Sequence, residues 1–452
     1  MNSTKKKIVK IANGQGFWGD SLSAPVDLID SADIDYLTLD YLAEVTLSIM
    51  QKQKNKNSDL GYAHDFIKLI ELKINEIVDK KIKIITNASG VNPVKCSELI
   101  KKIAKKNNKN INVAIVSGDD IFQDLGTLIN NNIELKNMDT NEPINDIYEN
   151  ICSANVYINS FTISEALDLG ADIVLCGRVS DPGLCLGPMI HEFGWQNDNY
   201  NKLASGTLAG HIIECGAQCT GGNHTDWKNV PNLASIGYPI IEVYEDGNFN
   251  ITKHKDSGGL INKFTVSEQI LYEMGDPRKY ISPDVCVDFT SFNICDNGDN
   301  TVSISDVVGM PPTDTYKVSI SYFNGYKSIG QLTVSGPNAL DKAKLVSEII
   351  WKRLKNKGYT YNSTNTEFLG TTKINSNDNS SNDISEVILR LSVKDKCLNK
   401  VNAFGEEIAP VITNGPPGIT GFSGGRPKAQ QIISFWPALI PKKLVKTKVV
   451  MI

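Results

Sequence analysis

The first half of the chain alternates short apolar runs, polar breaks and amphipathic stretches, and that rhythm leaves few folds open. Lys7–Ala12, Ile34–Leu39, Ile82–Thr86, Ile111–Val116, Val156–Ser160 and Ile173–Cys176 read as strands. Helical patterns lie between them. The clearest is 61–80, which carries Phe66, Ile67, Ile70, Ile74 and Ile77 on one face. Successive strand–loop–helix units give a mostly parallel sheet with right-handed crossovers. Residues 1–230 are therefore expected to form a Rossmann-like, doubly wound α/β domain. From Leu233 the texture changes. Asp246-Gly247 and Asn324-Gly325 sit between strand-like runs as hairpin turns. Thr265 with Glu268 reads as a capping box, and 338–357 as a long amphipathic helix. Residues 231–452 are expected to be an α+β domain with antiparallel hairpins, and 452 residues suit two domains.

In a parallel sheet the loops after the strands share one edge, where ligands bind. Here those loops hold Asp20, Asp40, Asn87, Asp119, Asp120, Arg178 and Asp181. The first loop, Asn13-Gly14-Gln15-Gly16-Phe17-Trp18-Gly19-Asp20, matches GxGxxG after a strand. It reads either as an anion-binding loop, with Asn13, Gly14, Gln15, Gly16 and Asp20 at the substrate, or as a tight turn over Phe17 and Trp18. The glycines with Asp40 also fit nicotinamide-dinucleotide spacing, but Pro25 interrupts the following helix. Asp40 ends a strand and Glu44 follows one helical turn later, so both are expected to face one crevice.

The stretch from Ile173 to Trp227 concentrates reactive groups. Leu203–Cys219 reads as a helix of small residues, on which His211, Cys215 and Cys219 recur every fourth position with Glu214 beside them. That spacing leaves a metal set of His211, Cys215 and Cys219 open as an alternative. The favoured reading has no metal: Cys215 and Cys219 pack as small apolar residues, while His211, Glu214 and His224 form a polar site. In the resulting mechanism Arg178 and the glycine loop hold an anionic group. Asp40, Asp181 or Glu214 acts as base, and His211 or His224 as acid. This set suits hydration, dehydration or retro-aldol cleavage next to a carbonyl. Arg426, in the turn-rich 415–427 loop, reads either as a second anion contact or as a solvated side chain. Gly-x-Ser-x-Gly occurs at 421–425, but outside the strand–turn–helix context that a Ser423 nucleophile needs.

Composition narrows the partners. A net charge of -5 gives no general pull on nucleic acid, and no apolar run is long enough to span a bilayer. Nine scattered cysteines point to reduced thiols and a cytoplasmic protein. Asn- and Lys-rich patches such as 53–58 and 375–383 read as solvated surface. Small-residue surfaces and Trp436-Pro437 suggest a homo-oligomer.

The chain resembles the AtuA family of acyclic terpene utilisation proteins. The resemblance is carried by the glycine loop at 13–20, Leu39-Asp40-Tyr41-Leu42-Ala43-Glu44, Asn87-Ala88-Ser89-Gly90-Val91-Asn92-Pro93, Gly118-Asp119-Asp120, Cys176-Gly177-Arg178-Val179-Ser180-Asp181, the 209–227 stretch, the 415–427 loop and Phe435-Trp436-Pro437. It implies a role in catabolism of branched acyclic terpenoids such as citronellol and geraniol, processed as acyl-CoA thioesters. The substrate would be a small acyl compound with CoA as part of it; the need for a separate cofactor is left open. Longer members carry a C-terminal ferredoxin-like domain, which this sequence, ending at Ile452, is expected to lack. The expected function is a lyase or hydratase. The alternative is a non-catalytic acyl-binding or assembly subunit.

Overall fold

A computed structural model describes residues 8–42, 44–371, 384–421 and 425–452; the Glu44 side chain is not described. Six strands open the chain: β1 (Ile8–Gln15), β2 (Tyr36–Leu39), β3 (Lys83–Thr86), β4 (Val113–Ser117), β5 (Ile151–Val156) and β6 (Ile173–Cys176). The helices among and after them are α1 (Ser23–Ser31), α2 (Glu44–Lys56), α3 (His64–Asp79), α4 (Pro93–Lys106), α5 (Leu125–Asn130), α6 (Phe161–Asp168), α7 (Gly183–Phe193) and α8 (Tyr200–Ile213). β1, β2, β3, β6 and β4 lie side by side in that order, all parallel. Their side chains alternate between two covered faces. Leu37, Leu39, Ile84 and Leu175 join one core with α1, α3 and α4. Tyr36 points the other way and donates to Glu192 of α7.

Antiparallel strands extend this sheet at both ends. β7 (Ile240–Tyr244) pairs with β1, and β8 (Phe249–Thr252) follows across the Asp246-Gly247 turn, as its sequence predicts. After α9 (Lys263–Leu271) and β9 (Tyr280–Ile281) come β10 (Cys286–Asp288), β11 (Asn293–Asp296), β12 (Val302–Ser305) and β13 (Val308–Met310). β12 and β11 continue the sheet beyond β8, while β9, β10 and β13 form a small sheet of their own. The chain is a mixed α/β protein with several sheets.

Two compact units divide the chain: residues 1–321 with 435–452, and residues 322–434. The chain passes between them within β14 (Thr315–Ser335). The second unit contains α10 (Ala339–Asn356), β15 (Ser363–Leu369), β16 (Glu386–Asp395) and α11 (Leu398–Ile408). Leu332, Val346, Ile350, Leu389 and Phe404 fill its core. The chain returns along β18 (Gln430–Pro441), reached after the two-residue β17 (Ile419–Thr420), and β19 (Lys448–Met451) closes the first unit's sheet against β4.

Three local expectations change. Asn324-Gly325 makes no hairpin; β14 runs straight through it, because Tyr326–Ser335 is laddered to β16. The helix cap before α9 is Asn262, with Thr265 as the reciprocal partner, and Glu268 instead accepts from His224 and the Thr225 backbone. α8 stops at Ile213, where Gly216 turns left-handed (φ 57°) three residues later. Among the described residues no helix is long and apolar enough to cross a membrane.

Candidate functional site

The parallel strands β1, β2, β3, β6 and β4 present their C-terminal ends at one edge, and a cleft of about 560 Å³ lies there. Asp40 follows β2 and is buried. Its Oδ1 accepts from the Leu42 backbone (3.1 Å) and from the Asn87 amide (2.7 Å). Asn87, after β3, is held in turn by accepting the Tyr41 backbone N–H (2.7 Å). Burial pushes the Asp40 carboxyl up to about 7, and the charge of Asp181 adds to the rise. Arg178 and the two hydrogen bonds work against it.

Arg178 enters where β6 ends. A Cβ on Gly177 would overlap the Asp119 carboxylate, so the backbone can lie directly on that group. Asp119 accepts the Arg178 backbone N–H (2.8 Å) and the Asn155 amide (2.9 Å). The guanidinium is 2 % exposed. It donates to the Leu42 carbonyl, pairs with Asp181 at 2.8 Å and stacks 4.3 Å from the centre of the Tyr157 ring. Its Nε is buried without a hydrogen-bond partner.

α8 reaches the site through its small residues. A Cβ at Gly210 would stand 2.6 Å from the Pro182 carbonyl oxygen, so only glycine lets α8 approach the start of α7 this closely. Glu214 follows the end of α8 and lines the cleft. Its Oε1 lies 3.0 Å from Nδ1 of His211, and its Oε2 is buried without a partner. His211 Nε2 sits 3.3 Å from the Ile270 carbonyl and donates to it. One proton is then shared between Nδ1 and Glu214. Burial pushes the Glu214 carboxyl up to about 7, against the pull of His211. Burial disfavours the His211 imidazolium, but the charge and hydrogen bond of Glu214 outweigh it, and its pKa is raised.

The cleft thus brings together Asp40, Arg178, Asp181 and Glu214, with His211 behind Glu214. The backbone of Gly16, with Phe17 and Trp18, forms a further wall. The rest of that loop supports it. Asn13 donates to the carbonyls of Ile213 and Glu214, and Gln15 to that of Phe17. A Cβ on Gly14 would press on Pro25 and one on Gly16 on the Cys215 backbone, both at 2.9 Å. Asp20 accepts the Gly16 N–H (3.0 Å) and the Tyr238 hydroxyl (2.5 Å). At Gly16, the chain's own carboxylate therefore fills the place expected for a bound anion.

Other candidates lie elsewhere. His224 is not a lining residue; it is bound to Glu268 at 2.7 Å. Asp120 is exposed and accepts the Phe122 N–H in a turn. Arg426 is exposed in the second unit. His211, Cys215 and Cys219 straddle the end of α8, so they share no helix face, and no metal-binding group of three or more His, Cys, Asp or Glu occurs among the described residues. Cys215 lines the cleft and Cys219 is buried. The Glu44 side chain and Ser423 fall outside the described residues. The cleft also draws Tyr272 and Glu273 from the chain after α9. Glu273 is exposed, with φ 52°. No motif marks this pair in the sequence.

Fold and site together define a class: a mixed α/β protein whose parallel-strand edge carries a cleft of buried carboxyls around an arginine. The sequence matches the model of the Acyclic terpene utilisation family protein AtuA over residues 9–451. The chain belongs to that family. No curated protein and no solved structure matches it.

Proposed function

We propose that the cleft moves protons on a small branched acyl substrate, as a lyase or hydratase acting next to a carbonyl. The observation that supports this most is the pair of buried carboxyls, Asp40 and Glu214, both raised to about 7 in one cleft. Groups poised near neutrality serve best as acid and base. Asp40 Oδ1 is committed to Leu42 and Asn87, which leaves Oδ2 to exchange a proton. Glu214 lines the same cleft, with Oε1 committed to His211 and Oε2 carrying no partner. In dehydration of a 3-hydroxyacyl compound, one carboxylate takes the proton beside the carbonyl. The other, protonated, gives its proton to the departing hydroxyl, so that water leaves and a double bond forms. Arg178 and Asp181 line the cleft beside both carboxyls, and the guanidinium charge favours a carbonyl or carboxylate oxygen there. His211 is a positioning residue that recharges Glu214. We take the acyl group to be a CoA thioester; the family match itself speaks only of acyclic terpene utilisation. The parallel strands with helices on both faces support reading this part of the chain as Rossmann-like and doubly wound.

The test is exchange of the proton beside the carbonyl, followed by NMR in deuterated water with 3-hydroxyacyl-CoA from pH 5 to 9. Exchange that peaks near neutrality and is lost in Asp40→Asn is expected. A flat pH profile overturns the reading. Binding without turnover in the unaltered protein would return the cleft to an acyl-binding role.

A further inference from the structure

A second pocket of about 320 Å³ adjoins the cleft, and Asp181 lines both. Its walls are chiefly apolar and aromatic: Tyr157, Tyr280, Ile281, Pro283, Tyr316 and Leu439. All belong to the first unit. Two of these rings also connect to the cleft's polar groups. Tyr157 carries the Arg178 guanidinium on its face. Tyr280 stacks on Phe289 at 4.8 Å and lies 5.5 Å from the His211 ring. The Arg178–Asp181 pair therefore stands where a polar, carboxyl-lined space meets a greasy one.

We infer that the second pocket holds the hydrocarbon tail of the substrate, while its carbonyl sits at Arg178 in the first cleft. The inference rests on the proposed reading of the cleft. Small-molecule sites run from about 300 to 1,000 Å³, so this pocket lies at the small end. It accepts a short branched aliphatic chain and then is full. Burying an alkyl group against aromatic and aliphatic walls releases water from both surfaces, and the gain stops once the added carbons no longer fit.

The experiment uses the full chain carrying Asp40→Asn, to prevent turnover during titration calorimetry. The probes are acetyl-, butyryl-, hexanoyl- and octanoyl-CoA, their 3-methyl counterparts, and the matching free acids. Affinity is expected to rise about fourfold per added methylene and then level off. Leu439→Trp fills the pocket from a position 44 % exposed, and Ile281→Trp from one 56 % exposed, so neither disturbs the core. Each is expected to abolish the gain from the longer and branched tails while leaving acetyl binding unchanged. Affinity independent of chain length, or a tail gain that survives both tryptophans, overturns the inference. If either variant misfolds, the other decides, and the chain-length series in the Asp40→Asn protein stands without them. Chain-length dependence without any turnover by the unaltered protein would remove the acid–base reading and keep the tail pocket. Turnover without chain-length dependence does the reverse.

Discussion

Replacing Asp40 by Asn gives the sharpest view of what the cleft costs the fold. Asn keeps the shape and the Oδ1 acceptor that Leu42 and Asn87 use. It removes only the ionisable oxygen. The folded protein holds the Asp40 proton up to about pH 7, against an ordinary value of 3.8. At about 1.4 kcal/mol per pKa unit, that corresponds to about 4 kcal/mol as a ceiling. Because the folded pKa lies above the unfolded one, this stability is fully present below about pH 4. It is lost as pH rises through about 7. Asn escapes that loss. The variant is therefore expected to match the unaltered protein near pH 4 and to exceed it by about 2–4 kcal/mol at pH 8. Urea denaturation at both pH values, followed by circular dichroism, measures the difference. A variant no more stable than the parent at pH 8 would refute the claim that Asp40 is buried at a cost. Such a gain accompanied by lost turnover is the usual trade at a strained site.

The remaining predictions concern the groups around it. Glu214→Gln retains a hydrogen bond to His211 but carries no exchangeable acid, so turnover is expected to fall by about 10²–10⁴ and the pH–rate curve to lose one limb; steady-state kinetics from pH 5 to 9 check this. Arg178→Met removes a buried cation and its bond to the Leu42 carbonyl, and because Asp181 is 41 % exposed and can turn to water, urea denaturation is expected to show a loss of about 1–3 kcal/mol. Burial, aided by Glu214, pushes the Cys215 thiol up to about 12. Peptide mapping after brief iodoacetamide treatment at pH 7.5 is expected to find label on the exposed Cys295 and Cys397 and little on Cys215.

What the sequence made legible was local. Ile173–Cys176 forms β6 with the bounds read from four apolar residues ended by a glycine. The edge rule for parallel strands likewise points to Asp40, Arg178 and Asp181, which line the cleft. Long-range pairing hid the rest. β5 spans Ile151–Val156, five residues earlier than the apolar run suggested, because Ser160, expected to end it, is instead bound through its backbone and hydroxyl to Asp284. The Asn324-Gly325 turn signal lost to the ladder between Tyr326–Ser335 and Glu386–Asp395, far along the chain. Local pattern also cannot show that residues 8–12 will pair with 240–244. Nor does an aspartate announce whether it will line a cleft, as Asp40 does, or lie beneath an arginine's backbone, as Asp119 does.

The amide of Asn13 grips the carbonyls of both Ile213 and Glu214. That clasp fastens the exit of the first strand to the segment that carries the glutamate, so the two walls cannot drift independently. Tyr272 and Glu273 follow α9, which is bonded to α8 through Gln269 and Ile270, so their stretch of the rim is tied to the glutamate's segment as well.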